Sequence, residues 1–217
     1  MIKVFICIGM LVALFNSAAY AQMDAELYEW KLKKDASEIQ VFTSKVLNSK
    51  FRAVSATMVL DEKLDSVVSL IMDLENCSSW AVLCQEAYVQ EKISNVENYV
   101  YSRNDIPFPG RDRDAVTHVV WERDQVTGAV SMVSRAVEGR VPKVKGVIRI
   151  EEALAKWRFT PQEDGTLLIE SFAHVNPASQ IPSWLLNRLL VGSPYKTMKA
   201  IRNVVAQGAY DNAVLSF

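Results

Sequence analysis

The stretch IPSWLLNRLLVGSPYKTMKAIRNVV, residues 181–205, decides the architecture. Its apolar positions Leu186, Leu189, Leu190, Met198, Ile201, Val204 and Val205 recur at intervals of three and four, which places them on one face of a helix. Gly192 and Pro194 interrupt the run, and proline removes a backbone donor. Because the stripe resumes in phase, the pattern predicts a kink there and a helix from Ser183 to about Tyr210. Working backwards, the chain changes period. Alternation predicts strands near 85–93, 96–104, 113–123, 128–138, 146–158 and 166–175. Turn residues separate them: Pro107, Pro109 and Gly110, then Thr127-Gly128, Pro142 and Asp164-Gly165. Further upstream, Ile39, Val41 and residues 45–47 read as a strand, with 51–60 as its hairpin partner across Asn48-Ser49-Lys50. Asp61 is expected to cap a helix carrying Leu64, Val67, Val68, Ile71, Met72 and Leu74. The expected order is two strands, a helix, six antiparallel strands and a long helix. That is an α+β pattern in which a curved antiparallel sheet closes on the last helix. A helix pressed into a bent sheet leaves interior space, where a ligand would sit. Where the strand alternation meets the helix stripe, the expected lining is Met72, Val100, Val119, Trp121, Leu186, Leu190, Met198, Ile201 and Val205.

The first residues read as a secretory signal. Lys3 precedes an apolar run over 4–15, and Ser17-Ala18-Ala19-Tyr20-Ala21 supplies small residues for cleavage after Ala21. That run falls short of the roughly twenty residues that span a bilayer. Residues 22–217 then form one domain, with no linker, repeat or low-complexity tract to divide them. The formal net charge is −1 and the charges are evenly mixed, which argues against nucleic acid as a partner. A periplasmic or secreted monomer is expected. In that compartment Cys77 and Cys84, flanking a short loop anchored by Trp80, are expected to form a disulfide, the alternative being two buried thiols.

Catalytic signatures are sparse. The two histidines, His118 and His174, sit in strands, where satisfied structural histidines are the ordinary case. There is no G-x-S-x-G elbow, no phosphate-binding glycine loop, no H-E-x-x-H and no acidic metal cluster. The expectation is therefore a non-enzymatic protein without cofactor or metal.

Several segments together carry a family resemblance. Residues 30–35 with 39–42, DLENCSSW at 73–80 with CQEA at 84–87, PFPGRDRD at 107–114, VIRI at 147–150 with WRFTP at 157–161, and NP at 176–177 with IPSWLLN at 181–187 occur in one order. In that order they resemble the START (StAR-related lipid transfer) domain family. The resemblance implies a helix-grip fold with a lipid-sized tunnel under the C-terminal helix. It implies that Arg113 and Asp114 are a structural feature at a strand start, with direct ligand contact by Arg113 as the alternative. Relatives that carry sterol place a buried basic and acidic residue near the positions held here by Val119 and Val100, with Arg103 close by. That departure favours an apolar tunnel floor. The resemblance also implies a flexible loop at 139–146 bordering the entrance, where Arg140, Lys143 and Lys145 would meet anionic headgroups, against a solvated hairpin as the alternative.

The function expected is binding and transfer of a hydrophobic, lipid-like ligand, with transient contact at a membrane surface. Two other readings stay open. One is a cyclase- or hydrolase-like enzyme of the same superfamily. The other is a protein-interaction factor with a vestigial cavity.

Overall fold

In a computed structural model of the chain, residues 28–178 and 181–217 are described. The strands are β1 (Lys31–Ala36), β2 (Ile39–Ser44), β3 (Ala53–Leu60), β4 (Cys84–Lys92), β5 (Glu97–Asn104), β6 (Arg113–Arg123), β7 (Val130–Ala136), β8 (Ile148–Ile150), β9 (Ala153–Pro161) and β10 (Leu167–Val175). The helices are α1 (Leu64–Met72), α2 (Cys77–Trp80) and α3 (Ser183–Val205). One ten-stranded sheet runs β1-β2-β3-β10-β9-β7-β6-β5-β4, with β8 beside β6. The α+β helix-grip architecture expected from the sequence is the one observed. The predicted signal segment lies outside the described residues.

Four local expectations are corrected. β1 is a separate edge strand, paired with β2 across a bulge between Leu32 and Lys34. It is mostly exposed, so it carries no apolar alternation to betray it. The single strand expected over 146–158 is two. β7 ends opposite Thr117, which leaves the first positions of β6 unpaired on that side. β8 fills the gap, running parallel to β6 with Arg113 opposite Ile148 and Ala115 opposite Ile150. The chain then turns at Glu151 and Glu152 and enters β9, antiparallel to β7 and β10. Asp61 does not cap α1: Lys63 is the N-cap residue and makes no side-chain capping bond. Finally, α3 ends at Val205 and not near Tyr210, with Pro194 inside one continuous helix. Residues 206–212 continue as turns, and the Tyr210 hydroxyl donates to Asp73 Oδ2 at 2.8 Å.

The core lies between the sheet and the helices. α3 packs on β2 and β3 and touches α1 and α2. Ile39, Val41, Met58, Val67, Val68, Phe159, Ile169, Met198 and Ile201 are fully buried there. Each such side chain contributes on the order of 1.5–3 kcal/mol by leaving water. The expected disulfide joins Cys77, the first residue of α2, to Cys84, the first residue of β4, with an S–S distance of 2.04 Å. It ties down the segment that carries Trp80.

A buried ion pair anchors β8. Asp114 accepts from Arg149 Nε at 2.8 Å and Nη2 at 2.9 Å, and from the Tyr101 hydroxyl at 3.2 Å. The same guanidinium donates to the carbonyls of Val141 and Pro142, at 3.0 and 3.2 Å. Burial, then the charge of Asp114, pushes the Tyr101 hydroxyl up to about 12. Removing one member strands the other charge in the interior, at a cost of about 3–5 kcal/mol. We therefore expect Arg149→Met to lower the stability measured by urea unfolding by about that amount, whereas Lys143→Met, at an exposed pair, changes it by less than about 1 kcal/mol.

Candidate functional site

Alternate residues of a strand face opposite sides, so the antiparallel register lays out rows of side chains across the sheet. On the side facing α3, one row reads Ile39, Met58, Ile169, Phe159 and Val130. The next reads Val41, Ala56, Ser171, Trp157, Met132 and Trp121. These two rows carry bulk. Trp157 stacks on Phe159 with ring centroids 6.0 Å apart, Trp121 lies 6.4 Å from Phe159, and Trp80 meets Trp157 edge-on at 6.4 Å. They fill one end of the interior.

The other end is built differently. The third row reads Thr43, Val54, Ala173, Ala155, Ser134, Val119 and Asn98. Beyond it come Val175 and Ala153, then Ala136, Thr117 and Val100, and then Ala115 and Ser102. No aromatic side chain stands among them. Ala153, Ala155, Ala173, Ser134, Ala136, Thr117 and Asn98 are only partly buried, although their strands have neighbours on both sides. Small side chains on inner positions that retain accessible surface define open room between the sheet and α3.

Next to that room, at the end of the sheet, is a cleft of about 1340 Å³. The β2–β3 hairpin (Asn48, Ser49, Lys50, Phe51), Pro109, the start of β9 and the segment entering α3 line it. Ala153 belongs both to the cleft wall and to the small-residue side of the sheet. Leu186 is on the wall, and Leu190, one turn along α3, packs against the core. On the polar wall Ser49 Oγ and His174 Nε2 are 3.0 Å apart, and the Phe51 N–H donates to Ser49 Oγ at 3.1 Å. Asn176 Nδ2 donates to Glu152 Oε2 at 3.0 Å.

The expected ligand residues divide among these places. Val100, Val119, Trp121, Met198, Ile201 and Val205 belong to the buried core cluster, and Met72 and Leu190 pack against it half-buried. Leu186 alone of that set lines the cleft. Arg113 is 3% exposed and its Nη1 donates to the Arg111 carbonyl. Burial, then the adjacent Arg111, lowers its pKa. The cation that Asp114 holds is Arg149, which sequence reasoning passed over although an arginine inside V-I-R-I is an unusual occupant of an apolar strand. Arg103 pairs instead with Asp112, through Nε at 3.0 Å and Nη2 at 2.5 Å.

The basic loop is tied down. Arg140 bonds Glu91 Oε2 at 2.5 Å and lies 3.7 Å over the Tyr99 ring, while Lys143 bonds Glu151 Oε1 at 2.6 Å. Tyr99 points away from the face that carries Val100, so Arg140 holds this loop on the outer side of the sheet. Lys145 is exposed. His118, also on that side, bonds Glu97 Oε1 at 2.7 Å. Among the described residues no three His, Cys, Asp or Glu side chains cluster to hold a metal.

Comparison with known proteins agrees with this geometry. A START domain family model matches residues 15–207. A solved STAR-related lipid transfer protein fragment from Xanthomonas axonopodis superposes with a TM-score of 0.74 at 31% identity, covering 82% of this chain and 99% of that one. Phosphatidylcholine transfer protein of Bos taurus is 30% identical over 166 residues, 73% of this chain and 75% of its own length. An uncharacterized Pseudomonas aeruginosa protein is 29% identical over 175 residues, 81% of this chain and 86% of its own.

The open room has a direct test. In a close-packed core, enlarging a side chain by several carbons costs about 1–3 kcal/mol. We expect Ala155→Leu, in the small row, to change the urea-unfolding free energy by less than about 1 kcal/mol. Ala56→Leu, at a fully buried position on β3, should lower it by about 2 kcal/mol.

Proposed function

The chain belongs to the START domain family, and we propose that it holds a lipid-like molecule between the small-residue side of its sheet and α3 and carries it between membranes without chemical change. The observation that carries this reading is the row of small, partly accessible side chains opening beside the cleft. Burial contributes roughly 0.8 kcal/mol per methylene, so an acyl chain needs no polar contact to be held there. The named relatives are lipid transfer proteins, which supports a lipid as cargo.

Entry is through the cleft. Leu47, Phe108 and Trp184 are 89%, 92% and 57% exposed, and each adjoins a cleft-lining residue on a different segment of chain. Lys45, Lys50, Arg52, Arg111 and Arg188 are exposed beside them. Among the described residues none of these cations lies within ion-pairing distance of a carboxylate. Apolar tips ringed by cations suit the interface of an anionic bilayer. The loop 139–146 is a secondary moving part. Its exposed pairs to Glu91 and Glu151 open cheaply, while Arg149 retains its base.

Export with cleavage after Ala21 fits the disulfide and the finding that no described helix is long and apolar enough to cross a membrane. A monomer is sufficient, since one chain supplies the room, the cleft and its rim. Among the described residues the Ser49–His174 contact is the one feature that favours an enzyme, a hydrolase using a serine. Among the described residues no carboxylate hydrogen-bonds the other nitrogen of that ring, so the pair lacks the orienting group such chemistry uses.

Transfer of a fluorescent phospholipid between anionic vesicles tests the carrier reading. Wild-type protein should accelerate it, and Trp184→Ala should lower the rate several-fold without altering the unfolding midpoint. Rates equal to the protein-free control would contradict the reading.

A further inference from the structure

We propose that the cleft seats a phosphoethanolamine head, Glu152 taking its primary ammonium and Ser49 with Lys50 its phosphate, so that the protein selects ethanolamine over choline phospholipids. This deepens the carrier reading and rests on it. Lys50, on the β2–β3 hairpin, and Glu152, just ahead of β9, are the full charges among the residues lining the cleft, and both are exposed. Among the described residues neither lies within ion-pairing distance of an opposite charge. A cleft that offers one unpaired cation and one unpaired anion is complementary to a zwitterion.

The carboxylate is held in place. The Asn176 N–H donates to the Glu152 carbonyl at 2.9 Å, which carries the β9–β10 pairing one step past Val175 and Ala153. The Asn176 side chain is fixed at both ends: Oδ1 accepts from the Ala178 N–H at 3.1 Å, and Nδ2 donates to Glu152 Oε2 at 3.0 Å. Glu152 Oε1 remains to accept from a guest. The other arm is anchored in the same way, since Ser49 Oγ accepts from the Phe51 N–H and meets His174 Nε2. His174 and Asn176 are two positions apart on one side of the strand, which sets the arms roughly 7 Å apart. A phosphate joined to an amine through two carbons bridges such a gap. A primary ammonium carries three N–H donors and suits a carboxylate oxygen. A quaternary ammonium carries none and is recognised by aromatic faces, of which the cleft offers Phe51 alone. An anionic head without an amine would bring a second negative charge beside Glu152.

Vesicles of equal parts dioleoyl phosphatidylethanolamine and dioleoyl phosphatidylcholine offer both heads on the same chains. What the re-isolated protein retains is extracted and quantified by mass spectrometry, and recovery of the intact diacyl lipid identifies the source of the head as a lipid. Wild-type protein should favour the ethanolamine lipid by about fivefold, the effect of one solvent-accessible ion pair. Glu152→Gln, which still accepts from Asn176, should bring the ratio close to one and leave the melting temperature unchanged. Lys50→Gln tests the other arm against dioleoylglycerol, which has no phosphate: the wild-type preference for the ethanolamine lipid over it should fall several-fold. Wild-type ratios of one or below, or an undiminished ratio in either variant, would overturn the proposal. Retention of none of the three lipids would overturn the carrier reading itself, and this proposal with it.

Discussion

One helix cannot cover this sheet. An α-helix with its side chains is about 10–12 Å across, and strands lie about 4.8 Å apart, so α3 spans two or three strands. It settles on β2 and β3. The inner faces of β5, β6, β7 and β9 must then be filled by their own side chains or left open. The sequence does both. Trp121, Met132, Trp157 and Phe159 fill one end, while Ala153, Ala155, Ser134, Ala136 and Thr117 leave the other unfilled. The packed end anchors the sheet on the helices, and the open end is where the proposed cargo would sit.

The frame around that room is held by contacts that do not depend on a guest. The Cys77–Cys84 disulfide fixes α2 to the start of β4, and Asp114 with Arg149 fixes β8 to β6. At the far end, Tyr210 bonds Asp73 and the Leu215 N–H donates to Asp65 Oδ2 at 3.4 Å, so the C-terminal segment is drawn onto α1. In the proposed carrier, closing around a ligand would therefore fall to the hairpin at 48–51, the turn at Phe108 and the entry to α3, which border the cleft. Segments with few buried contacts open at lower cost than the core elements they join.

Much of the fold was legible because its signals are local. The i, i+3 stripe of α3 and the alternation of the long strands need only neighbours in sequence to be read. β1 was missed because an exposed edge strand has no buried side to advertise. The split between β8 and β9 was missed because it arises from how far β6 and β7 pair, a tertiary feature with no local signal. The site divided along the same line. Apolar residues such as Val119, Trp121 and Met198 are recognisable as interior, and they are interior. The residues that make the room are Ala, Ser, Thr and Asn, which look like nothing in one strand and form a row only when five or more strands are in register. Arg149 was passed over, although a cation in an apolar strand is a local signal; its partner follows from parallel pairing that no local pattern reveals.

The central claim is that the room beside α3 is occupied in life by a lipid. Native mass spectrometry of the mature protein, purified from its own host without detergent, tests it most directly. The account predicts a second species heavier by the mass of one lipid, released intact on activation and recovered in an organic extract. A single species at the mass of the bare chain, with no lipid in the extract, would contradict it.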